Sequence, residues 1–328
     1  MLKNRYEIMA LVQAVECNPN GDPDMDNRPR IDLETGYGIM TDVSFKSRIR
    51  RAIEMIDPSQ EMLFRDGNSI NRAIADAALK ANGTDKLAKK SNTKVNETTK
   101  IITEKYFDAR TFGAVLSTGL NAGQVRGPVQ VAMATSVDPI DIQDITITRN
   151  SYTGGEFETI AEYDREDQNL TSDKKRTMGN KKFIPYGLYT FKATVSANLA
   201  NKTGFDEEDL KLLIEGITQM YSNDISSSKM GMSVLSPVII FKHVGTQSAN
   251  NQENNEREAM LGCAPAYKLF ELLELKKKSE VEFPRDYKDY NAVFHMSKLP
   301  NGIKVGFKPG PFQETIWENF NDEWLQID

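Results

Sequence analysis

Four basic residues, Lys46, Arg48, Arg50 and Arg51, fall within six positions, and five more, Lys174, Lys175, Arg176, Lys181 and Lys182, fall within nine. Clustered cations of this kind do one chemistry well, which is to neutralise phosphate. At about 100° per residue, Lys46 and Arg50 share one flank of a helix, whose first turn would add backbone N–H groups and the hydroxyls of Thr41 and Ser44. Spacing alone does not separate such a phosphate site from a solvated face that carries basic residues for solubility. The second run surrounds Met178-Gly179, so it reads either as a basic hairpin that clamps a backbone and wedges an apolar tip between bases, or as a mobile polar loop.

The rest of the chain limits the alternatives. Its 328 residues carry a formal charge of −6, which argues against a uniformly basic nucleic-acid binder and favours a molecule acidic outside and basic along one groove. The two histidines, His243 and His295, have no metal-ligand spacing and no partner for nucleophilic catalysis, and there is neither a GxxxxGK[ST] nor a GxGxxG loop. Asp22, Asp24 and Asp26 match the first ligand spacings of a calcium loop. Asn27 then stands where the turn glycine belongs and Leu33 where the bidentate Glu belongs, so a self-capped turn is the better account. Cys17 and Cys263 form no redox or metal pattern and read as ordinary buried thiols. The expectation is a non-enzyme without cofactor or metal. No apolar run approaches the roughly 18 residues of a membrane span, and the start MLKNRYEIMA lacks the apolar stretch of a signal peptide, which places the chain in the cytoplasm.

The elements that must position these residues follow from periodicity. Residues 6–15 read as a strand running into the turn-rich CNPNGDPDMDNRPR; 43–56 read as a helix capped by Thr41 or Asp42, with Phe45, Ile49, Ala52, Ile53 and Ile56 inward. Strand patterns recur at 128–137 and at 186–198, where Tyr189, Phe191, Ala193, Val195 and Ala197 alternate with polar residues. A helix at 206–222 starts on acidic residues, and 232–243 reads as a last strand whose Pro237 marks an edge or bulge. The order strand, helix, strand, strand, helix, strand is the ferredoxin-like, RNA-recognition-like α+β arrangement. Two long interruptions, 58–127 and 138–185, stand outside it; the first holds the helix-prone SINRAIADAALKANG and a lysine-bearing segment, the second a strand pattern at 142–149. The polar tract 247–258 reads as a mobile loop. The tract SSSKMGMS, with Ser227, Ser228 and Lys229, precedes the last strand, where it either touches RNA backbone or merely turns the chain.

NPNGDPDMDNRPRID followed by GYGIMTDVSFKSRIRRAI, then DARTFGAV, AGQVRGPVQVAMATSVDPI, TMGNKKFIPYGLY and the serine-rich turn, resemble in that order the backbone subunit of the type I-C CRISPR Cascade complex. The resemblance spans most of residues 6–240 and fades in the C-terminal third. It implies a right-hand shape: a palm at 1–57, 128–149 and 185–328, the last with a C-terminal extension, a finger insertion at 58–127 and a thumb hairpin at 150–184. It also implies copies polymerised along one CRISPR RNA, beside other Cascade subunits, with the bases left free to pair with a target DNA strand. Carried over, Asn18, Asn20, Thr41, Ser44, Lys46, Arg50, Ser227, Ser228 and Lys229 bind RNA, and Lys175, Arg176, Met178, Lys181 and Lys182 form the thumb, Met178 kinking the guide. The alternative is an RNA-recognition-like endoribonuclease acting on CRISPR or target RNA, which histidine scarcity disfavours.

Overall fold

The computed structural model describes residues 1–87, 94–171, 174–223, 225–247 and 252–317. In chain order the strands and helices are β1 (Tyr6–Cys17), β2 (Gly21–Asp22), β3 (Arg28–Pro29), β4 (Tyr37–Met40), α1 (Asp42–Ile56), α2 (Ile70–Asn82), α3 (Val95–Lys105), α4 (Phe107–Phe112), β5 (Gly113–Val115), β6 (Gln124–Arg126), β7 (Val129–Val131), β8 (Ala134–Pro139), β9 (Gln143–Arg149), α5 (Ile160–Asn169), β10 (Thr177–Val195), α6 (Ala197–Thr203), α7 (Glu207–Gln219), β11 (Met232–His243), α8 (Gln252–Leu261), α9 (Ala266–Phe270), β12 (Leu273–Lys277), β13 (Tyr290–Phe294) and β14 (Ile303–Lys308). The chain is a mixed α/β molecule around one large antiparallel sheet in the order β14-β11-β1-β10-β8-β4, with β7 and β9 also paired to β10.

Helices α1 and α7 cover one face of this sheet. Thr41 caps α1 by accepting a hydrogen bond from Ser44 N, and Phe45, Ile49, Ala52 and Ile53 form its buried stripe. Phe45 meets Phe191 of β10 edge-on at 5.1 Å. Gly216 lets α7 close on α1, since a Cβ there would lie 2.7 Å from Ile53 Cγ1. Each fully buried side chain of this kind contributes roughly 1.5–3 kcal/mol.

The opposite face is also apolar. Met9, Leu11, Tyr186, Leu188, Leu235, Ile239 and Phe241 point there and are covered by α9, β12 and β13, with β14 extending the sheet beyond β11. The sheet is thus a layer between two cores. A third, smaller core lies in the 58–127 insertion, where Ile74 and Ala77 of α2 meet Ile102 of α3 and Leu116.

Several expected boundaries shift for local reasons. The strand expected at 128–137 breaks at Ala132 and Met133 into β7 and β8. The strand expected at 186–198 starts at Thr177 and stops at Val195, because the Ser196 hydroxyl accepts from Leu199 N and turns Ala197 into the first residue of α6. Tyr221 lies past the end of α7 but stays buried. The tract expected as a mobile loop is helical from Gln252 onward, while its residues 248–251 lie outside the described ones. Pro237 falls where the pairing of β1 with β11 shifts register, which is the bulge its sequence position suggested. The Cys17 thiol is fully buried, and burial pushes its pKa up to about 11. No helix among the described residues is long and apolar enough to cross a membrane.

Candidate nucleic-acid interface

Three segments distant in sequence meet where β1 ends. Asn18, buried just after β1, donates its backbone N–H to the Ser228 carbonyl (2.9 Å) and its Nδ2 to the carbonyls of Asn27 (2.7 Å) and Lys182 (3.3 Å). Lys229 Nζ returns the contact by donating to the carbonyls of Asn18 and Pro19. Lys181 Nζ donates to the Ser227 carbonyl (3.2 Å) and Lys182 Nζ pairs with Asp26 (2.6 Å). Asn20 Oδ1 accepts from Thr41 N (2.8 Å), which fixes this loop to the first turn of α1. Asn18, Asn20, Thr41, Ser44, Lys181, Lys182, Ser227, Ser228 and Lys229 therefore form one hydrogen-bonded junction. Within it the Asn18 Oδ1 atom is buried without a hydrogen-bond partner.

The turn at 226–231 can sit here because residue 231 is glycine. Val15 N donates to the Gly231 carbonyl at 2.9 Å, and a Cβ on residue 231 would lie 1.7 Å from Val15 O. The aspartate-rich turn is self-capped as expected: Asp22 accepts from Asp24 N (3.1 Å) and pairs with Arg30 (3.0 Å).

Lys46 and Arg50 lie further along α1, about 8 and 14 Å from the cap by helical rise. They share a groove with Ser47, Phe64, Arg65 and Asn68. The expectation of a basic groove needs correction at this point, because both cations are balanced within the chain. Lys46 pairs with Asp42 at 2.9 Å. Arg50 Nε donates to Asp108 at 2.8 Å, and its guanidinium lies against the rings of Phe64 and Phe112. Asp108 is fully buried and also accepts from Leu63 N (2.7 Å) and Phe64 N (3.0 Å). Among the described residues no acceptor engages the terminal nitrogens of Arg50, so the fork is held at one end and available at the other. Asp108 and its neighbour Arg110, which is bidentate on Asp209, were not foreseen as holding the site; their only signal was the DARTFG stretch.

The second basic run is not a tip. β9, expected as a strand within the second interruption, pairs with the outer half of β10 from Phe183↔Gln143 to Thr177↔Arg149. The arm is thus a two-stranded ribbon carrying residues 150–176, including α5, at its end. Met178 lies inside the ribbon opposite Thr148, 73% exposed, on the face shared with Asn180 and Lys182. Lys175 and Arg176 stand beyond the ladder and form no side-chain hydrogen bond or ion pair among the described residues. Ile145 and Ile147 are exposed on the opposite face of the ribbon.

Both histidines are engaged by carboxylates. His243 is fully buried, its Nδ1 accepts from Cys263 N (2.7 Å) and its Nε2 therefore donates to Glu7 (2.6 Å), whose other oxygen pairs with Arg5. His295 pairs with Glu274 at 2.8 Å.

Comparison with known proteins is consistent with the sequence signature. The family model described as CRISPR-associated protein Cas7 matches residues 4–295. A CRISPR-associated protein Cas7 of Haloferax volcanii is 29% identical over 241 residues, covering 70% of this chain and 67% of that protein. Among solved structures, a chain of a CRISPR RNA-guided surveillance complex, pre-nicking, is 14% identical with a TM-score of 0.46, covering 80% of this chain and 84% of its own. A chain of a CRISPR RNA-guided surveillance complex is likewise 14% identical, with a TM-score of 0.38, covering 82% and 80%.

Proposed function

The chain belongs to the Cas7 family of CRISPR-associated proteins, and from that premise we propose that it is the guide-coating backbone subunit of a type I-C Cascade complex in the cytoplasm. Copies of it would line up along one CRISPR RNA beside the other subunits and leave the bases free for a target DNA strand. The observation that carries this reading is the junction at the end of β1, where the 18–30 ribbon, the cap of α1, the 226–231 turn and the base of the arm are joined by hydrogen bonds. Hydroxyls, amides and lysines gathered in this way contact a nucleic-acid backbone rather than base edges.

The strand order β11-β1-β10-β8, with α1 and α7 on one face, supports a ferredoxin-like palm, the 58–127 insertion with its own core supports a finger region, and the β9–β10 ribbon supports a thumb. A lone two-stranded ribbon is marginal in water, so the exposed Ile145, Ile147 and Met178 favour an arm that works against a partner, whether RNA or a second copy. The engagement of both histidines, with Glu7 and with Glu274, favours a scaffold without nuclease activity.

The test is size exclusion of the chain with and without CRISPR RNA, read as the ratio of absorbance at 260 and 280 nm. The wild type is expected in a large RNA-bearing peak, and Lys46→Ala/Lys175→Ala/Arg176→Ala, which removes no buried ion pair, in a smaller RNA-poor one. A wild type that stays RNA-free when guide is supplied would refute the proposal, and magnesium-dependent shortening of the bound RNA would favour the endoribonuclease.

A further inference from the structure

A groove at the far end of β1 and β10 sets cations beside apolar surface. Arg5, Arg126 and Lys202 line it together with Leu199, Met260 and Leu261, and no carboxylate does. Arg5 is tied to Glu7 and to the Leu261 carbonyl, whereas Arg126 and Lys202 are exposed and form no hydrogen bond or ion pair among the described residues. On a chain of net charge −6 this stands out, since Lys46, Arg50 and Lys182 at the junction each have a carboxylate partner. The Leu261 side chain is 49% exposed, so the groove offers apolar contact as well as charge. From Ile184 to Thr194 along β10 is about 33 Å at the rise of a strand, which puts the groove out of reach of a strand held at the junction. An occupant that suits it carries carboxylates and apolar side chains together.

The chain itself contains such a segment. Residues 318–328, ENFNDEWLQID, lie outside the described ones. They carry Glu318, Asp322, Glu323 and Asp328 with no lysine or arginine, and Phe320, Trp324, Leu325 and Ile327 among them. The described chain delivers them beside the groove. Trp317 packs on Gly306 of β14, and Lys242 Nζ lies 5.9 Å from the Trp317 ring and 5.7 Å from the ring of Tyr6, the neighbour of Arg5. Gly306 pairs with Ile240 and Ile240 with Ile8, so the groove is three strand spacings across and three residues along the sheet from Trp317, about 17 Å in all. Eleven residues reach up to about 36 Å when extended, twice what is needed. A tether this short holds its segment at about millimolar effective concentration, at which weak, exposed ion pairs suffice.

We infer that residues 318–328 dock in this groove of their own chain, with their carboxylates on Arg126 and Lys202 and their apolar side chains on Leu199, Met260 and Leu261. The docked segment neutralises the groove and closes it to other anions. This does not depend on the guide-coating reading. The test uses the full chain without nucleic acid, treated at high dilution with a water-soluble carbodiimide, which joins a lysine amine to a carboxylate in contact with it. Peptides are mapped by mass spectrometry on a mixture of isotopically labelled and unlabelled chains. The wild type is expected to show an amide between Lys202 and Asp322 or Glu323 within one isotopic composition. Arg126→Ala leaves both linked groups in place and is expected to cut the yield about threefold at low salt, as is added salt in the wild type. Acetylation of Lys202 is expected to be about threefold faster in Asp322→Asn/Glu323→Gln than in the wild type. A wild type with no link from Lys202 to residues 318–328 would overturn the inference, as would unchanged yield in Arg126→Ala or unchanged Lys202 acetylation in the carboxylate variant. Links of mixed isotopic composition would overturn it in favour of a second copy as the occupant.

Discussion

Asp108 engages three groups with one buried carboxylate: the amides of Leu63 and Phe64 and the guanidinium of Arg50. Removing Arg50 alone would strand that charge in the interior, so Arg50→Ala is expected to cost about 3–5 kcal/mol of stability by urea denaturation. Replacing the pair together, as Arg50→Met/Asp108→Asn, should recover part of the loss because no charge is left buried and one of the two amides keeps an acceptor, while RNA affinity stays low. Recovery of RNA affinity in the double variant would show that Arg50 is purely structural. Sequence placed Lys46 and Arg50 on one flank of α1, since helical geometry is local, but the partner that holds Arg50 is 58 residues away and periodicity carries no such information. Asn18 shows the same limit. Its type suggested a turn, yet its buried contacts with Ser228 and Lys182 depend on two other segments.

The elements divide into those set by local pattern and those set by pairing. α1, α7 and β11 are where their apolar periodicity places them, because each buries a single continuous stripe or strand. β10 is not, because its first seven residues pair with β9 rather than with the central strands, and pairing outside the core leaves no burial pattern to read. The arm should consequently be separable from the fold. Replacing residues 150–176 by Asn-Gly closes the Arg149↔Thr177 pair with a two-residue turn, and the product is expected to keep its melting temperature while losing stable RNA assembly. Core unfolding in that variant would contradict the separation. The 226–231 turn should be sensitive instead: Gly231→Ala drives a Cβ into Val15 O, so guide affinity is expected to fall through displacement of Ser228 and Lys229. Wild-type affinity for Gly231→Ala would remove this turn from the RNA site.

Across the whole molecule the C-terminal third does what neither pattern nor resemblance revealed. It covers the second face of the sheet, with Phe294 and Phe307 packed edge to face and Phe241 stacked on Phe294. Alternation in β10 was read as one buried face and one polar face, but Tyr186 and Leu188 are buried on the supposed polar side, and only the later strands explain why. One clamp between the C-terminal third and α7 is sensitive to acid. Burial pushes the Glu215 carboxyl up, but Lys308, the Phe312 amide and Gln219 together hold it below the ordinary carboxylate range. A depressed folded value means that the contribution to stability is present at neutral pH and is lost as pH falls through that value. Trp317, packed on Gly306 and Lys242, should report the release as a red-shifted emission on acidification. Glu215→Gln should abolish that pH dependence, and an identical transition in the variant would assign it to another group.

The most direct test of the central claim is ultraviolet crosslinking of the chain to CRISPR RNA, followed by mass spectrometry of the crosslinked peptides. The guide-coating account predicts crosslinks in the 18–30 ribbon, the first half of α1, the 226–231 turn and the arm around 175–182, and none on the layer formed by β12 and β13. Crosslinks confined to that layer, or absent from all four segments, would contradict it.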